Sequence, residues 1–353
     1  MGDGRIKVLF LITGLNIGGA ERVVMSLSKF LDPARYSVSV VSLTSKSCIL
    51  DQYQGLSCEV LTVNMERGPF GFIAGIFHLA AIVRRIGPDI IHAHMFHAMV
   101  AGLACRVIAF RAKLVFTSHS FSGFRFMRGF MIRATRALRS ADVVFSKSQH
   151  PELNAKHTYV IANGVPIAEL DHSVLTRRER PFVFLFVGRL ELPKNPTALV
   201  EAFSAMREKH CELWVVGDGA LRCAVESLSK SLGVSDRVRI LGVRSDVPDL
   251  LKRADCLVLT SLWEGLPMVV LEAGAASLPV ISTGVGAIPE VLEGRCGYIS
   301  SIDKFSLAMD HVMKNYMEAQ SRGAALYKKV SSDYSIAGMV ERHQQLYSLL
   351  MAR

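Results

Sequence analysis

Short apolar runs recur along this chain, separated by longer stretches whose apolar residues return every three or four positions. In the first half the runs Ile6–Ile12, Ser37–Leu43, Val60–Val63, Asp89–His94, Lys113–Ser118, Asp142–Phe145 and Thr158–Ile161 predict strands. Amphipathic stretches Glu21–Leu31, Gly71–Arg85, Ala98–Ile108 and Arg125–Arg139 predict helices between them. The strand runs do not alternate strictly with polar residues, which is the signature of strands buried on both faces of a parallel sheet. From Gly164 to Pro181 the rhythm breaks, with Pro166 and the charged run Arg177–Arg180. A second series then begins: Phe182–Val187, Leu213–Val216, Val238–Leu241, Cys256–Leu259, Val280–Ser282 and Gly297–Ile299. The expected architecture is α/β, two Rossmann-like domains facing across a cleft. Residues 1–165 form the first, 166–181 a linker and 182–334 the second, with a final helix within 335–353 that packs back on the first. In such sheets ligands bind beyond the carboxyl ends of the strands, so the loops there are read for chemistry.

Length and composition agree with this division. The chain has 353 residues, half of them hydrophobic and 20% charged, enough for two sizeable cores. Its seven cysteines are scattered and never spaced Cys-x-x-Cys, which argues for a reducing compartment and against a disulfide framework or zinc site. The apolar run after Arg5 and Lys7 continues into a glycine-rich loop, so it reads as a strand rather than a signal peptide. The longest apolar stretch, Phe70–Val83, has 14 residues and contains His78, too short to span a bilayer. A cytoplasmic protein is expected.

The net charge of +10 is unevenly placed. Residues 1–177 hold 20 Lys/Arg against 11 Asp/Glu, and the remainder holds 21 against 20. The first half therefore suits an anionic partner: a membrane surface, nucleic acid or phosphorylated substrate.

Four loops carry candidate chemistry. After Cys256–Leu259 come Glu264, Gly265, Leu266 and Pro267, then a helix Met268–Ala276 with Glu272. Pro267 suits a helix start, and the amides there form a ready anion site. Glu264 and Glu272 can accept hydrogen bonds from sugar or ribose hydroxyls. Equally, Glu264 suits a helix N-terminus and Glu272 a solvated helix face. After Phe182–Val187 come Gly188, Arg189, Lys194 and Asn195, where two cations on one loop can neutralise a diphosphate leaving group. Gly217-Asp218-Gly219 follows Leu213–Val216 and is either a nucleotide approach or an ordinary turn. After the first strand, Gly14 to Glu21, with Gly18 and Gly19, is neither the dinucleotide fingerprint nor a P-loop. It is a glycine-rich helix start suited to pyrophosphate or sugar. His92 and His94 share one strand face and look like a metal pair. With no Cys or carboxylate aimed at the same point they read as packing or cleft-lining residues.

Taken in order, Gly18-Gly19-Ala20-Glu21, Thr117-Ser118-His119, Gly188-Arg189 with Lys194-Asn195, Gly217-Asp218-Gly219, and Glu264 with Glu272 resemble family 4 of the retaining glycosyltransferases. Nearly the whole chain is covered, and the Glu-x7-Glu spacing is the family's signature. The resemblance implies the GT-B fold and sugar transfer from a nucleotide diphosphate sugar. It puts Arg189 and Lys194 on the diphosphate, Glu272 on the ribose, and Glu264 with Gly265–Pro267 on the transferred sugar. His119 would hydrogen-bond that sugar from the opposite domain, Gly18 and Gly19 would close over the phosphates, and Gly217–Gly219 would sit near the base. No Asp-x-Asp element is present, so neither metal nor cofactor is expected.

After His119 the chain turns basic. At about 100° per residue, Arg125, Arg128, Arg133, Arg136 and Arg139 fall within an arc of roughly 140°, opposite Phe126, Phe130, Ala134 and Leu138. Such a face is a solvated helix surface or a grip on anionic membrane or lipid phosphate. No recognisable nucleic-acid module accompanies it. The expectation is a peripheral enzyme on the inner face of the membrane, taking UDP-linked hexose or N-acetylhexosamine to a lipid-linked glycan. A nucleotide-sugar hydrolase or epimerase of the same fold, or a non-catalytic nucleotide sensor, are the alternatives.

Overall fold

The computed structural model describes residues 4–16, 18–45, 50–65, 69–119, 125–146, 157–167 and 180–353. It divides into two compact units, one of Met1–Asn163 with Ile336–Arg353, the other of Gly164–Ser335. Most of the expected linker, 168–179, lies outside the described residues.

The first unit holds strands β1 (Ile6–Ile12), β2 (Tyr36–Ser42), β3 (Cys58–Thr62), β4 (Ile90–His94), β5 (Lys113–Thr117), β6 (Ala141–Val144) and β7 (Thr158–Val160). They form one sheet in the order β3-β2-β1-β4-β5-β6-β7, every pair parallel. Helices α1 (Gly19–Phe30), α2 (Pro69–Ile86), α3 (Phe96–Ile108) and α4 (Arg125–Ala134) connect them. Strand periodicity explains why β1 is apolar throughout. Val8, Phe10 and Ile12 join a core on one face with Val23, Val24 and Leu27 of α1. Leu9 and Leu11 join a second core on the other face with residues of α2 and α3.

The second unit repeats the plan with β8 (Phe182–Val187), β9 (Cys211–Val216), β10 (Val238–Gly242), β11 (Cys256–Leu259), β12 (Val280–Ser282) and β13 (Tyr298–Ile299). Their order, β10-β9-β8-β11-β12-β13, is again all parallel. Its helices are α5 (Pro196–Ser204), α6 (Arg222–Ser231), α7 (Val247–Arg253), α8 (Met268–Ala275), α9 (Ile288–Leu292), α10 (Phe305–Lys314) and α11 (Tyr316–Asp333). The last helix, α12 (Ile336–Met351), belongs to the first unit and seats Met339, Val340, Leu346, Tyr347 and Leu350 in the core beside α1.

Both sheets reverse direction of growth at one point, between β1 and β4 and between β8 and β11. These are the topological switch points where parallel sheets leave a crevice at their carboxyl ends.

The basic helix differs from its expected form. It ends at Ala134, and a 3-10 turn, Arg136–Leu138, follows. Thr135 returns its hydroxyl to the Met131 carbonyl at 2.6 Å, closing the last turn. The change of winding swings Arg139 inward. Arg139 is buried and donates Nε to Asp142 Oδ1 at 2.6 Å and Nη2 to Asp142 Oδ2 at 3.1 Å. It also donates to the Thr135 hydroxyl and the Ile132 carbonyl. Arg139 is therefore a structural ion-pair partner and not part of a membrane-facing arc. Asp142 lies buried in β6, between β5 and β7, and a buried carboxylate requires such a partner. Arg136 is drawn the same way, its Nη1 3.9 Å from Asp142 and its side chain 21% exposed. Arg133 is exposed. The side chains of Arg125 and Arg128 lie outside the described residues.

Candidate active site

In the second unit the loops after β8 and β11 meet across the switch point. The β8 loop ends in a 3-10 turn, Leu192–Lys194, and Asn195 in the left-handed conformation (φ 47°, ψ 53°), which Asn tolerates better than most residues. Two hydrogen bonds tie this loop to its neighbour. The Thr260 hydroxyl donates to the Asn195 carbonyl at 2.9 Å, and the Leu262 amide to the Pro193 carbonyl at 2.8 Å. The result is that Lys194 Nζ lies 2.5 Å from Glu264 Oε1, and Ser261 Oγ donates to the same oxygen at 2.7 Å. The Lys194 and Glu264 side chains are largely buried, 19% and 9% exposed. Lys194 also lies along Gly188, where an added Cβ would touch its side-chain carbons at 3.5 Å.

A carboxylate beside an anion site would repel the anion. Here Lys194 offsets that charge, so Glu264 can face hydroxyl groups while the ammonium faces a phosphate. Arg189 is not brought into this group. Its side chain is 71% exposed and pairs with Glu191 at 2.9 Å on the surface. Exposed pairs of this kind contribute little and exchange partners readily. Gly265, Leu266 and Pro267 are buried and lead into α8, whose second turn carries half-buried Glu272.

Gly217-Asp218-Gly219 has a structural reason of its own. A Cβ on Gly217 would lie within 1.9 Å of the Gly188 carbonyl oxygen, and one on Gly219 within 2.5 Å of that of Leu190. The Leu190 amide donates to the Asp218 carbonyl, and Leu221 to Leu190. Asp218 accepts from the Gly219 amide at 2.7 Å and from Arg222 at 3.0 Å, which together hold its carboxyl below the usual range. The turn thus clamps the Gly188–Leu190 backbone.

Several supporting residues escape a reading of the sequence. Ser261 fixes Glu264, and Thr283 Oγ1 donates to the Ser261 carbonyl at 2.6 Å. Gly286, at φ 61°, packs so tightly that a Cβ would lie 2.4 Å from the Glu264 carbonyl oxygen, and the Ala287 amide bonds Gly265. The one available signal was the Gly284-Val285-Gly286 step after a strand run.

In the first unit, Gly18 is the extended N-cap of α1, and its missing side chain leaves room for Glu21, whose carboxylate would lie 2.4 Å from a Cβ there. Gly19 is exposed at the helix start. His119 follows β5, with its Nε2 2.9 Å from His94 Nδ1 and its ring 5.2 Å from that of Phe145. Burial, and then repulsion from His343, push His119 down to about 3, so it is neutral at neutral pH. His92 bridges the hydroxyls of Thr117 and Tyr347, each at 2.7 Å. Among the described residues no group of three His, Cys, Asp or Glu is arranged to hold a metal ion.

Each unit matches one family description: residues 17–169 match Glycosyltransferase Family 4, and residues 181–315 match Glycosyl transferases group 1. The chain is a family 4 glycosyltransferase. An N-acetyl-alpha-D-glucosaminyl L-malate synthase of Bacillus anthracis is 26% identical to it over 94% of each chain. A UDP-Gal:alpha-D-GlcNAc-diphosphoundecaprenol alpha-1,3-galactosyltransferase of Escherichia coli is 25% identical, over 77% of this chain and 78% of that one. Among solved structures, Anabaena HepE in complex with UDP and glucose superposes with a TM-score of 0.82 at 21% identity, covering 99% of this glycosyltransferase and all of that chain. The two Rossmann-like domains are those of the GT-B glycosyltransferases. Among the described residues no helix of the enzyme is long and apolar enough to cross a membrane.

Proposed function

We propose that this glycosyltransferase moves a hexose or N-acetylhexosamine from a UDP-sugar to a lipid-linked glycan, with retention of configuration. The observation that carries the donor half is the Lys194–Glu264–Ser261 cluster at the switch point of the second unit. Lys194, joined by Arg189 when it leaves Glu191, takes the charge of the departing diphosphate. Glu264 and the Gly265–Pro267 backbone hold the sugar, Glu272 holds the ribose, and His119 hydrogen-bonds a sugar hydroxyl. The anomeric carbon–oxygen bond to phosphate breaks as the acceptor oxygen bonds the same carbon on the same face. The acceptor's hydroxyl proton passes to the departing phosphate oxygen. With two cations for the charge, no metal is required.

The acceptor half rests on the surface of the first unit. Residues 90–141 contain eight Lys/Arg and no Asp or Glu. Val107, Phe110, Phe130 and Leu138 are exposed there, Val107 at 83% and Phe110 at 71%. Arg106 donates to the Leu138 carbonyl at 2.6 Å, which draws the end of α3 to the turn after α4. Exposed aromatic and aliphatic residues beside the exposed Arg111 and Arg133 suit the interface of an anionic bilayer. The diphosphoundecaprenol-acting relative supports a lipid acceptor, whereas the malate-conjugate synthase supports a small soluble one.

Thermal stability of the purified enzyme against a panel of nucleotide sugars tests the donor. A ligand at about 100 times its Kd adds about 2.7 kcal/mol to the folded state. A rise in Tm with one UDP-sugar that is lost in Lys194→Ala is expected. A rise with GDP-sugars alone would overturn the choice of base. Equal turnover on a glycan and on its lipid diphosphate form would overturn the acceptor.

A further inference from the structure

The first unit contains a buried histidine arrangement that sugar transfer as described does not use. Parallel pairing sets His92 of β4 opposite Val115 of β5, and His94 opposite Thr117. Each imidazole reaches two residues further along the chain, His92 to the last residue of β5 and His94 to His119 beyond it. His92 Nε2 lies 2.7 Å from Thr117 Oγ1, and His94 Nδ1 lies 2.9 Å from His119 Nε2. The His92 and His94 rings are 4.3 Å apart, and both lie against Phe10. His343 of α12 covers the His92 ring at 5.6 Å.

We propose that His94 is a positioning residue that places the single proton of His119 on Nδ1, so that His119 presents an N–H to the substrate. The role of that N–H rests on the sugar-transfer reading above; the position of the proton does not.

The argument is one of hydrogen-bond accounting. A neutral imidazole has one N–H and one bare nitrogen, and burial keeps His94 and His119 neutral. His94 is fully buried and its Nε2 has no partner among the described residues. If the proton were on that nitrogen, the protein would bury an unpaired donor, which native structures avoid more strictly than an unpaired acceptor. The proton therefore lies on Nδ1 and is donated to His119 Nε2. That nitrogen can then only accept, and the His119 proton goes to Nδ1, which belongs to a half-buried side chain and, unlike His94 Nε2, is not among the described buried atoms that lack a partner. His343 obeys the same rule. Its Nδ1 is 2.8 Å from the Met339 carbonyl, which can only accept, so its partnerless buried Nε2 is likewise a lone pair. A sugar hydroxyl is both donor and acceptor. An N–H in one fixed tautomer selects which of its lone pairs is used and where the sugar sits.

The test is the tautomer of His119 in the full-length, histidine-15N-labelled protein, read by long-range 1H–15N correlation without any donor. The signal is assigned by its loss in His119→Asn. The expected result is Nδ1–H in the wild type and in His94→Asn, whose amide N–H stands where Nδ1 stood. In His94→Leu a mixture of tautomers is expected. With nucleotide sugar, kcat/KM in His94→Leu falls by about tenfold, the worth of one hydrogen bond, and His94→Asn recovers most of it. An Nε2–H tautomer in the wild type would overturn the proposal, as would an unchanged tautomer in His94→Leu. The expected tautomer in a protein that turns over no nucleotide sugar would leave this assignment standing and overturn the functional one.

Discussion

At the scale of the residue, partners decide what a charge does. Arg139 and Arg133 are six apart on what the periodicity treats as one helix face, yet one is buried against Asp142 and the other is exposed. Removing Arg139 takes both close hydrogen bonds from the buried Asp142 carboxylate and leaves it only Arg136 at 3.9 Å, so Arg139→Ala should destabilise the first unit by about 3–5 kcal/mol. Urea denaturation would show this as a lower midpoint, with no selective loss of vesicle binding beyond unfolding. Lys194 and Glu264 are held against each other, so their neutralisation should be separable. Lys194→Ala should weaken nucleotide diphosphate binding and lower kcat/KM by about 100-fold or more, the usual scale for losing a charge-stabilising group. Glu264→Gln keeps the shape and the Ser261 contact and should spare binding of free UDP while losing turnover. Calorimetric titration of UDP into both variants distinguishes them; equal loss of UDP affinity would remove Glu264 from the sugar side.

At the scale of the element, the ends of α3 and α4 form the surface on which the proposed membrane association rests. Val107 and Phe110 contribute nothing to the core at their exposure. Replacing both by Asp should leave Tm nearly unchanged and reduce sedimentation with anionic vesicles several-fold, each buried apolar side chain being worth about 1.5–3 kcal/mol. Unchanged vesicle binding would place the contact elsewhere. Helix α12 behaves in the opposite way, because its apolar face completes the core of the first unit. Leu346→Ala should lower stability by about 2–5 kcal/mol.

For the molecule as a whole, the two units share a plan but differ in what acid does to them. His92, His94, His119 and His343 are buried neutral in the first unit, with His119 pushed down to about 3 and His343 to about 4. In the unfolded chain each titrates near 6.5. Their depressed values mean that below pH 6.5 the unfolded state binds more protons, so stability falls as pH falls from 6.5 toward 4. The slope is about 1.4 kcal/mol per pH unit for each histidine charged only when unfolded. The described histidines of the second unit, His210 and His311, are exposed. Hydrogen exchange at pH 5.5 against pH 7.5 should therefore show the first unit losing protection before the second; simultaneous loss would contradict this.

The strand pattern and both Rossmann-like sheets were legible in the sequence because parallel strands are buried on both faces. Their apolar runs, such as Val8–Ile12 and Phe184–Leu185, therefore stand out without any knowledge of neighbours. Glycines at strand ends and the spacing of Glu264 and Glu272 also marked which loops to read. What a single sequence does not contain is the meeting of residues far apart in it. The pairing of Lys194 with Glu264, seventy positions away, depends on the two loops being bonded across a switch point. Asp142 turned Arg139 inward because a buried carboxylate outweighs helical periodicity. The proton on His119 depends on an imidazole 25 residues earlier and on the absence of a partner behind it. Local pattern determined the elements, since burial acts on each strand separately; tertiary structure decided the chemistry, since hydrogen bonds and ion pairs are made only at contact distance.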